Sequence, residues 1–256
     1  MSDSPLKVWM DRGGSVLRLR LAKPKANLVD AAMISELSLA LAEQLSNPEL
    51  SAVLLDAEGP HFSFGASVEE HLPDQCAEML SGLHGLIISM LEYPVPILAA
   101  VKGQCLGGGL EVVCGASQIF AGTDVKFGQP EIKLAVFAPA ASCLLPERIG
   151  QANAEDLLFS GRSISSQEAL HMRLVQNVSV DPEQAALDWI DQHLAPTSTS
   201  SLRFAVQAAR LQSLERIKDK IEQAEKLYID ELMKTHDALE GLTAFVEKRK
   251  ATWKNH

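Results

Sequence analysis

The chain has 256 residues, of which 46% are hydrophobic and 22% are charged, as in a globular protein with one large domain or a domain plus a small appendage. Its formal net charge of −10 argues against general binding to nucleic acids or to anionic membranes, since both require a basic surface. A phosphorylated ligand would therefore depend on local lysine or arginine side chains.

The first predicted elements are a strand followed by a helix. Leucines at every second position of 16–21, separated by Arg18 and Arg20, predict a half-buried strand. Asp30 predicts the N-cap of a helix that ends near Ser46, before an Asn-Pro pair. The expected apolar stripe of this helix consists of Met33, Ile34, Leu37, Leu41 and Leu45.

The rest of the chain divides into two parts of different character. Up to residue 195, strands are predicted at 52–55, 94–101 and 118–121, and a helix over about 74–93; this alternation indicates an α/β fold. From residue 196 to 256 the pattern is almost entirely helical. Three helices are predicted there, over 198–211, 217–234 and 237–250, and we interpret the region as one for packing or oligomerisation.

A glycine-rich turn follows the predicted strand that ends at Val101. Gly107, Gly108 and Gly109 open a short helix that carries Glu111 in its first turn. Free N–H groups at such a helix start, together with the positive end of the helix dipole, suit a developing negative charge. Tight packing between strand and helix explains the glycines about equally well, so this stretch alone leaves both interpretations open.

The cysteines and the N-terminus indicate a cytoplasmic protein. The four cysteines show neither C-x-x-C nor zinc-finger spacing, so we expect buried thiols in a reducing compartment and no metal site. The stretch from Met1 to Pro5 is not typical of a secretion signal. No apolar run approaches the length of a membrane span, so no membrane partner is expected.

Three separated motifs together resemble the crotonase (enoyl-CoA hydratase/isomerase) family. They are the segments 61–68 (HFSFGASV), 106–111 (LGGGLE) and 127–131 (FGQPE), and the resemblance extends to 241–250. It implies an α/β, crotonase-like spiral of ββα units with a C-terminal helical oligomerisation region. It also implies an acyl-CoA thioester substrate, CoA as part of that substrate with no separate cofactor, and trimers or dimers of trimers.

The resemblance assigns site residues one by one. Ala66 and Gly108 match the two positions whose backbone N–H groups form an oxyanion hole for the thioester carbonyl. Glu111 and Glu131 match the two glutamates that act on the reacting water, with Glu131 as the main proton-transfer residue and Glu111 as its water-orienting partner. Residues that bind CoA or the acyl group are expected among Lys23, Lys25, Ala26, Ser67, Val68, Gly107, Phe137, Phe245 and Lys248.

Two departures from the family pattern indicate which kind of acyl group the site accepts. Most relatives carry Asp where this chain has Ser67, and a bulkier stretch containing Phe137 replaces a glycine-rich one. These differences indicate an acyl group that is not a simple linear chain. With both glutamates retained, the segments 62–71 and 136–145 resemble those of family members that act on a conjugated ring dienoyl-CoA, as in anaerobic benzoyl-CoA degradation, and this resemblance implies a hydro-lyase that adds water to such a thioester. A hydratase for open-chain 2-enoyl-CoA thioesters remains the alternative. The histidines His61, His71 and His84 are interpreted as structural.

Two functions other than hydration of a CoA thioester are disfavoured. The glycine spacing is not the G-x-G-x-x-G of a dinucleotide-binding oxidoreductase. A non-catalytic CoA-binding member of the same fold is disfavoured because both Glu111 and Glu131 are present.

Overall fold

The protein is an α/β molecule, described here from a computed structural model that covers residues 4–256. Residues 1–3, the start of the stretch judged not to be a secretion signal, lie outside the described residues. The strands are β1 (Leu6–Asp11), β2 (Val16–Leu21), β3 (Ala52–Ala57), β4 (Ile97–Val101), β5 (Gln104–Leu106), β6 (Gln118–Gly122), β7 (Lys126–Gly128), β8 (Ser163–Ser165) and β9 (Asn177–Ser179). The helices are α1 (Ala31–Gln44), α2 (Cys76–Glu92), α3 (Gly108–Cys114), α4 (Pro139–Ile149), α5 (Gln151–Ser160), α6 (Ser166–His171), α7 (Pro182–His193), α8 (Thr199–Asp230) and α9 (His236–Val246).

Two sheets form the centre of the fold. Six strands pair in the order β1-β2-β3-β4-β6-β9, with β1 and β2 antiparallel and the other neighbours parallel. The short strands β5, β7 and β8 form a second sheet, in which β5 and β7 are parallel. Successive strand, strand and helix units wind into a spiral, so the predicted fold is confirmed. Strands β1, β5, β7, β8 and β9 were not predicted from the sequence.

Helices cover both faces of the larger sheet. In β3, Val53 and Leu55 point to the main core, which they share with α1, α2 and α3. Ala52 and Leu54 point the opposite way and pack against α7. A parallel strand buried on both faces reads as a continuous apolar run, which is why β3 and β4 are recognisable in the sequence.

Strand β2 differs from its prediction as a half-buried strand. Arg18 is only 3% exposed, although its alternation with leucines predicts a solvent-facing side chain. Its guanidinium donates to Asp56 Oδ2 at 2.8 Å and to Glu183 Oε1 at 2.5 Å. Because α7 covers this face and brings Glu183 with it, the buried charge is paired.

The C-terminal region also differs from its prediction. One continuous helix, α8, replaces the two helices expected over 198–211 and 217–234. The intervening segment contains neither glycine nor proline, so nothing in it interrupts the helix. Arg210 donates to the carbonyl oxygens of Leu91 and Tyr93 at 2.8 and 3.0 Å and fixes the middle of α8 to the end of α2.

Other predicted features agree with the structure. Asp30 caps α1 by accepting a hydrogen bond from Met33 N at 2.9 Å, and the predicted stripe is buried except for Leu45, which is exposed. All four cysteines are buried free thiols. No helix within residues 4–256 is long and apolar enough to cross a membrane.

Candidate active site

Backbone hydrogen bonds bring the three motifs to one place. Ser63 N donates to Gln104 O and Leu106 N donates to Ser63 O, both at 3.0 Å, which ties the first motif to β5. The pairing of β5 with β7 places the third motif beside β5, on the side away from the first motif. There Gly107 N donates to Gly128 O at 3.0 Å. The second motif therefore lies between the other two.

The two predicted oxyanion-hole residues face each other. A β-carbon on residue 108 would lie 3.0 Å from Ala66 N and 3.0 Å from Ala66 Cβ, so the two backbones are almost in contact. Within the described chain, neither the N–H of Ala66 nor that of Gly108 donates a backbone hydrogen bond. Gly108 is also the first residue of α3, where N–H groups have no intrahelical acceptor. Two free donors at this spacing suit an oxyanion.

Glu131 lies directly beside the glycine turn. It belongs to a 3₁₀ turn, Pro130–Leu134, that follows β7. A β-carbon on residue 107 would lie 2.7 Å from Glu131 Oε1, and the φ of Gly107 is +49°, so the turn requires glycine on both counts. With its amide nitrogen facing the carboxylate, Gln129 donates to both oxygens of Glu131 at 3.1 Å. Burial, and then the charge of Glu111, raise the pKa of Glu131 to about 8.

Glu111 lies inside α3 and is held by the start of α4. Its side chain is buried, and Oε1 accepts a hydrogen bond from Ala141 N at 2.9 Å. Burial raises the pKa of Glu111, while the hydrogen bonds from the α4 backbone and the nearby His84 act in the opposite direction. Because the charge of Glu111 raises the pKa of Glu131, the two carboxylates titrate as a coupled pair.

A cleft of about 70 Å³ lies between the oxyanion-hole residues and Glu131. The predicted site residues that line it are Ala66, Val68, Gly107, Gly108 and Glu131. Phe64, His71, Pro130, Leu134, Val136 and Leu242 complete its wall. A larger groove of about 490 Å³ between the end of α2 and α8 contains none of the predicted catalytic or oxyanion-hole residues.

The basic loop near residue 25 adjoins the first motif. Phe64 N donates to Ala26 O at 2.9 Å, and the buried Asn27 donates to the carbonyl oxygens of Glu58 and His61 at 3.0 Å. Lys23 is exposed and lies 3.4 Å from Asp30. Lys25 is exposed as well. The loop therefore presents two cations close to the rim formed by Phe64.

Like Lys23, Lys25 and Ala26, four further predicted binding residues do not line the cleft in this chain. The Ser67 hydroxyl donates to Glu69 Oε2 at 3.0 Å. Phe137 packs edge-to-face on Tyr228, with ring centroids 5.3 Å apart. Phe245, which is 55% exposed, lies in the last turn of α9, and the exposed Lys248 follows that helix.

Sequence reasoning missed two residues of the site. His71 was interpreted as structural, yet it lines the cleft; its Nδ1 is 2.7 Å from Ser67 O, and burial lowers its pKa. The four-residue spacing from Ser67 was the available signal. Gln129 lies within the third motif, but its hydrogen bonds to Glu131 depend on side-chain geometry that the sequence does not show. Among residues 4–256, no cluster of His, Cys, Asp and Glu is arranged to hold a metal ion.

Comparison with known proteins gives one consistent family. Residues 11–256 match the family model described as enoyl-CoA hydratase/isomerase. The chain is 64% identical over 254 residues to a cyclohexa-1,5-dienecarbonyl-CoA hydratase of Thauera aromatica, covering 99% of this chain and 98% of the relative. It is 29% identical to a carnitinyl-CoA dehydratase of Proteus mirabilis, with coverage of 94% and 95%. An enoyl-CoA hydratase structure from Mycobacterium avium superposes with a TM-score of 0.87 at 25% identity, covering 98% of this chain and 100% of that one.

Proposed function

The chain belongs to the enoyl-CoA hydratase/isomerase family, and from this we propose that it is a hydro-lyase acting on cyclohexa-1,5-diene-1-carbonyl-CoA. The product is 6-hydroxycyclohex-1-ene-1-carbonyl-CoA. The observation that carries the proposal is the 64% identity, over nearly the full length of both chains, with the Thauera aromatica relative whose name states this hydratase activity. Two carboxylates beside two free N–H donors support water addition to a thioester.

The oxyanion hole polarises the conjugated thioester. The N–H groups of Ala66 and Gly108 donate to the thioester oxygen, which makes the β-carbon of the ring electrophilic. When water attacks that carbon, a C–O bond forms and negative charge moves to the oxygen and along the second double bond, as a dienolate. Neutral donors in a protected cleft stabilise this charge, typically by about 2.7–4 kcal/mol for each donor.

The two glutamates handle the proton of the water. Glu111, held by Ala141 N, accepts a hydrogen bond from the water and orients it. Glu131 in its ionised form takes the proton that the water loses, and then delivers it to the far end of the diene. One O–H bond breaks, one C–O and one C–H bond form, and the glutamates return to their starting state. A base with a pKa near 8 is well matched to this exchange.

The remaining parts of the proposal concern binding and assembly. Lys23 and Lys25 supply cations for the anionic CoA beside the cleft rim, despite the acidic chain. Residues 1–195 form the catalytic spiral, and 196–256 form the region through which three copies associate, as trimers or dimers of trimers. Phe245 and Lys248, both exposed, approach the CoA bound by a neighbouring copy in such an assembly. We place the enzyme in the cytoplasm, with no separate cofactor.

The test compares hydration of the ring diene thioester with hydration of crotonyl-CoA, an open-chain substrate. Initial rates are measured on the purified enzyme, and products are resolved by chromatography and mass. We expect a strong preference for the ring diene and a single hydroxycyclohexenyl product. A preference for crotonyl-CoA would replace the proposal with general enoyl-CoA hydration, and turnover of neither thioester would overturn hydration of these substrates.

A further inference from the structure

Tyr228 carries a buried hydroxyl without a partner. Its side chain lies on α8 with 0% exposure, and within the described chain its hydroxyl makes no hydrogen bond. A buried polar group left unpaired destabilises the folded protein, so such groups usually have a reason to persist. The other tyrosine of the chain, Tyr93, is equally buried but donates to Leu41 O at 3.0 Å.

The surroundings of Tyr228 place it behind the cleft. It belongs to one apolar cluster with Val136 and Leu242, both of which line the cleft, and its ring contacts Phe137 at 5.3 Å. Burial raises the pKa of the phenol most, and the charges of Cys76, Glu131 and Glu111 raise it further. Glu131 lines the same cleft as Val136 and Leu242, so these two apolar side chains lie between Tyr228 and the space beside Glu131.

The start of α4 cannot supply the same donor. Pro139, its first residue, has no N–H, the N–H groups of Ala140 and Ala141 are directed to Glu111, and Ser142 N donates to Ala138 O at 2.9 Å. The reacting water uses its two hydrogens on the two carboxylates. One of its lone pairs attacks the ring carbon, so the other requires a donor from elsewhere.

We propose that the Tyr228 hydroxyl is that donor, and that it binds the oxygen added to the ring, first as water and then as the product hydroxyl. This inference rests on the proposed function. Because no part of Tyr228 is exposed, this role requires the cleft-lining side chains of Val136 and Leu242 to move aside as the ring binds. Tyr228 then distinguishes the hydroxylated ring from a ring without this oxygen.

The kinetic test uses Tyr228→Phe, which removes only the hydroxyl, and Tyr93→Phe as the matched control. We expect Tyr228→Phe to lower kcat for hydration, and to raise KM for 6-hydroxycyclohex-1-ene-1-carbonyl-CoA in the reverse reaction, each by about 2- to 12-fold, the effect of one hydrogen bond. Inhibition by cyclohexane-1-carbonyl-CoA, an unreactive ring without the oxygen, stays unchanged. Tyr93→Phe alters none of these values.

Thermal melting separates this role from a structural one. The unliganded Tyr228→Phe variant melts at the wild-type temperature or above, because it loses an unpaired polar group, whereas Tyr93→Phe melts lower because it loses a hydrogen bond. Kinetic constants equal to wild type in Tyr228→Phe, or equal losses of affinity for the hydroxylated and the saturated ring, would overturn the proposal.

Tyrosine labelled with ¹³C at Cζ gives a test that does not depend on turnover. The chain has two tyrosines, so Tyr93→Phe assigns the Tyr228 signal. In the Glu131→Gln background, the hydroxylated thioester should shift this signal and cyclohexane-1-carbonyl-CoA should not. Equal shifts with both thioesters would overturn the inference. Lack of wild-type turnover on the ring diene would instead overturn the proposed function, so the two failures are distinguishable.

Discussion

Replacing Glu131 with Gln should slow catalysis and stabilise the protein. Glutamine keeps the size of the side chain and an oxygen that can accept from Gln129, but it cannot exchange a proton. We expect hydration to slow by about 10²-fold or more, the usual contribution of a general acid or base. CoA-thioester binding should be largely retained, because the oxyanion-hole N–H groups of Ala66 and Gly108 belong to the backbone.

The stability gain follows from the raised pKa of Glu131. Burial and the charge of Glu111 move this pKa from 4.5 to about 8. A pKa shift of this size corresponds to about 5 kcal/mol of unfolding free energy. Partial exposure of the Glu131 carboxylate to the cleft reduces the expected stability gain of the variant to about 2–3 kcal/mol. An acid whose pKa rises on folding holds a proton that the unfolded chain releases, so wild-type stability falls as pH rises between these two pKa values.

The assay measures the free energy of unfolding of wild type and Glu131→Gln by chemical denaturation, at equal protein concentration. The stability gain of the variant should be small near pH 5 and reach its full value above about pH 8. Glu49→Gln, at an exposed turn, is the matched control and should show no such pH dependence. A gain that is independent of pH, or a variant that is less stable than wild type at high pH, would refute the reasoning.

Three further predictions concern the rest of the site. Gly108→Ala places a β-carbon 3.0 Å from Ala66 N. It should lower kcat for hydration about 10²- to 10³-fold, as loss of an oxyanion-hole donor does. An unchanged kcat would show that Gly108 does not contribute to the oxyanion hole. The kcat/KM for hydration should rise with pH through about pH 8, where Glu131 ionises. In Glu111→Gln the midpoint of this rise should move to lower pH, because the charge of Glu111 no longer raises the pKa of Glu131. An unchanged midpoint would contradict the effect of Glu111 on Glu131. Lys23→Ala should raise KM for the CoA thioester, and the effect should shrink as salt is added; a KM equal to wild type at low salt would exclude Lys23 from CoA binding.

Features that depend on neighbours along the chain could be predicted from the sequence. The cap at Asp30, the buried run of β4 and the helix-opening glycines are local signals, and each appears in the structure at the predicted place. The three motifs predicted the family, which the comparisons confirm, and Glu111 and Glu131 remain the predicted catalytic pair.

Which of these residues meet depends on the packing of distant segments. Pairing of β5 with β7, two three-residue strands too short for a periodic signal, brings Glu131 against Gly107. Arg18 is buried because α7 packs over it, although this helix lies more than 160 positions later in the chain. The hydrogen bond from Arg18 to Glu183 of α7 shows this contact. The same reason applies to Tyr228, whose side chain on α8 packs behind a cleft that is built mainly by residues 64–136. Contacts between distant segments depend on packing in three dimensions, and periodicity along one segment carries no information about its eventual partners.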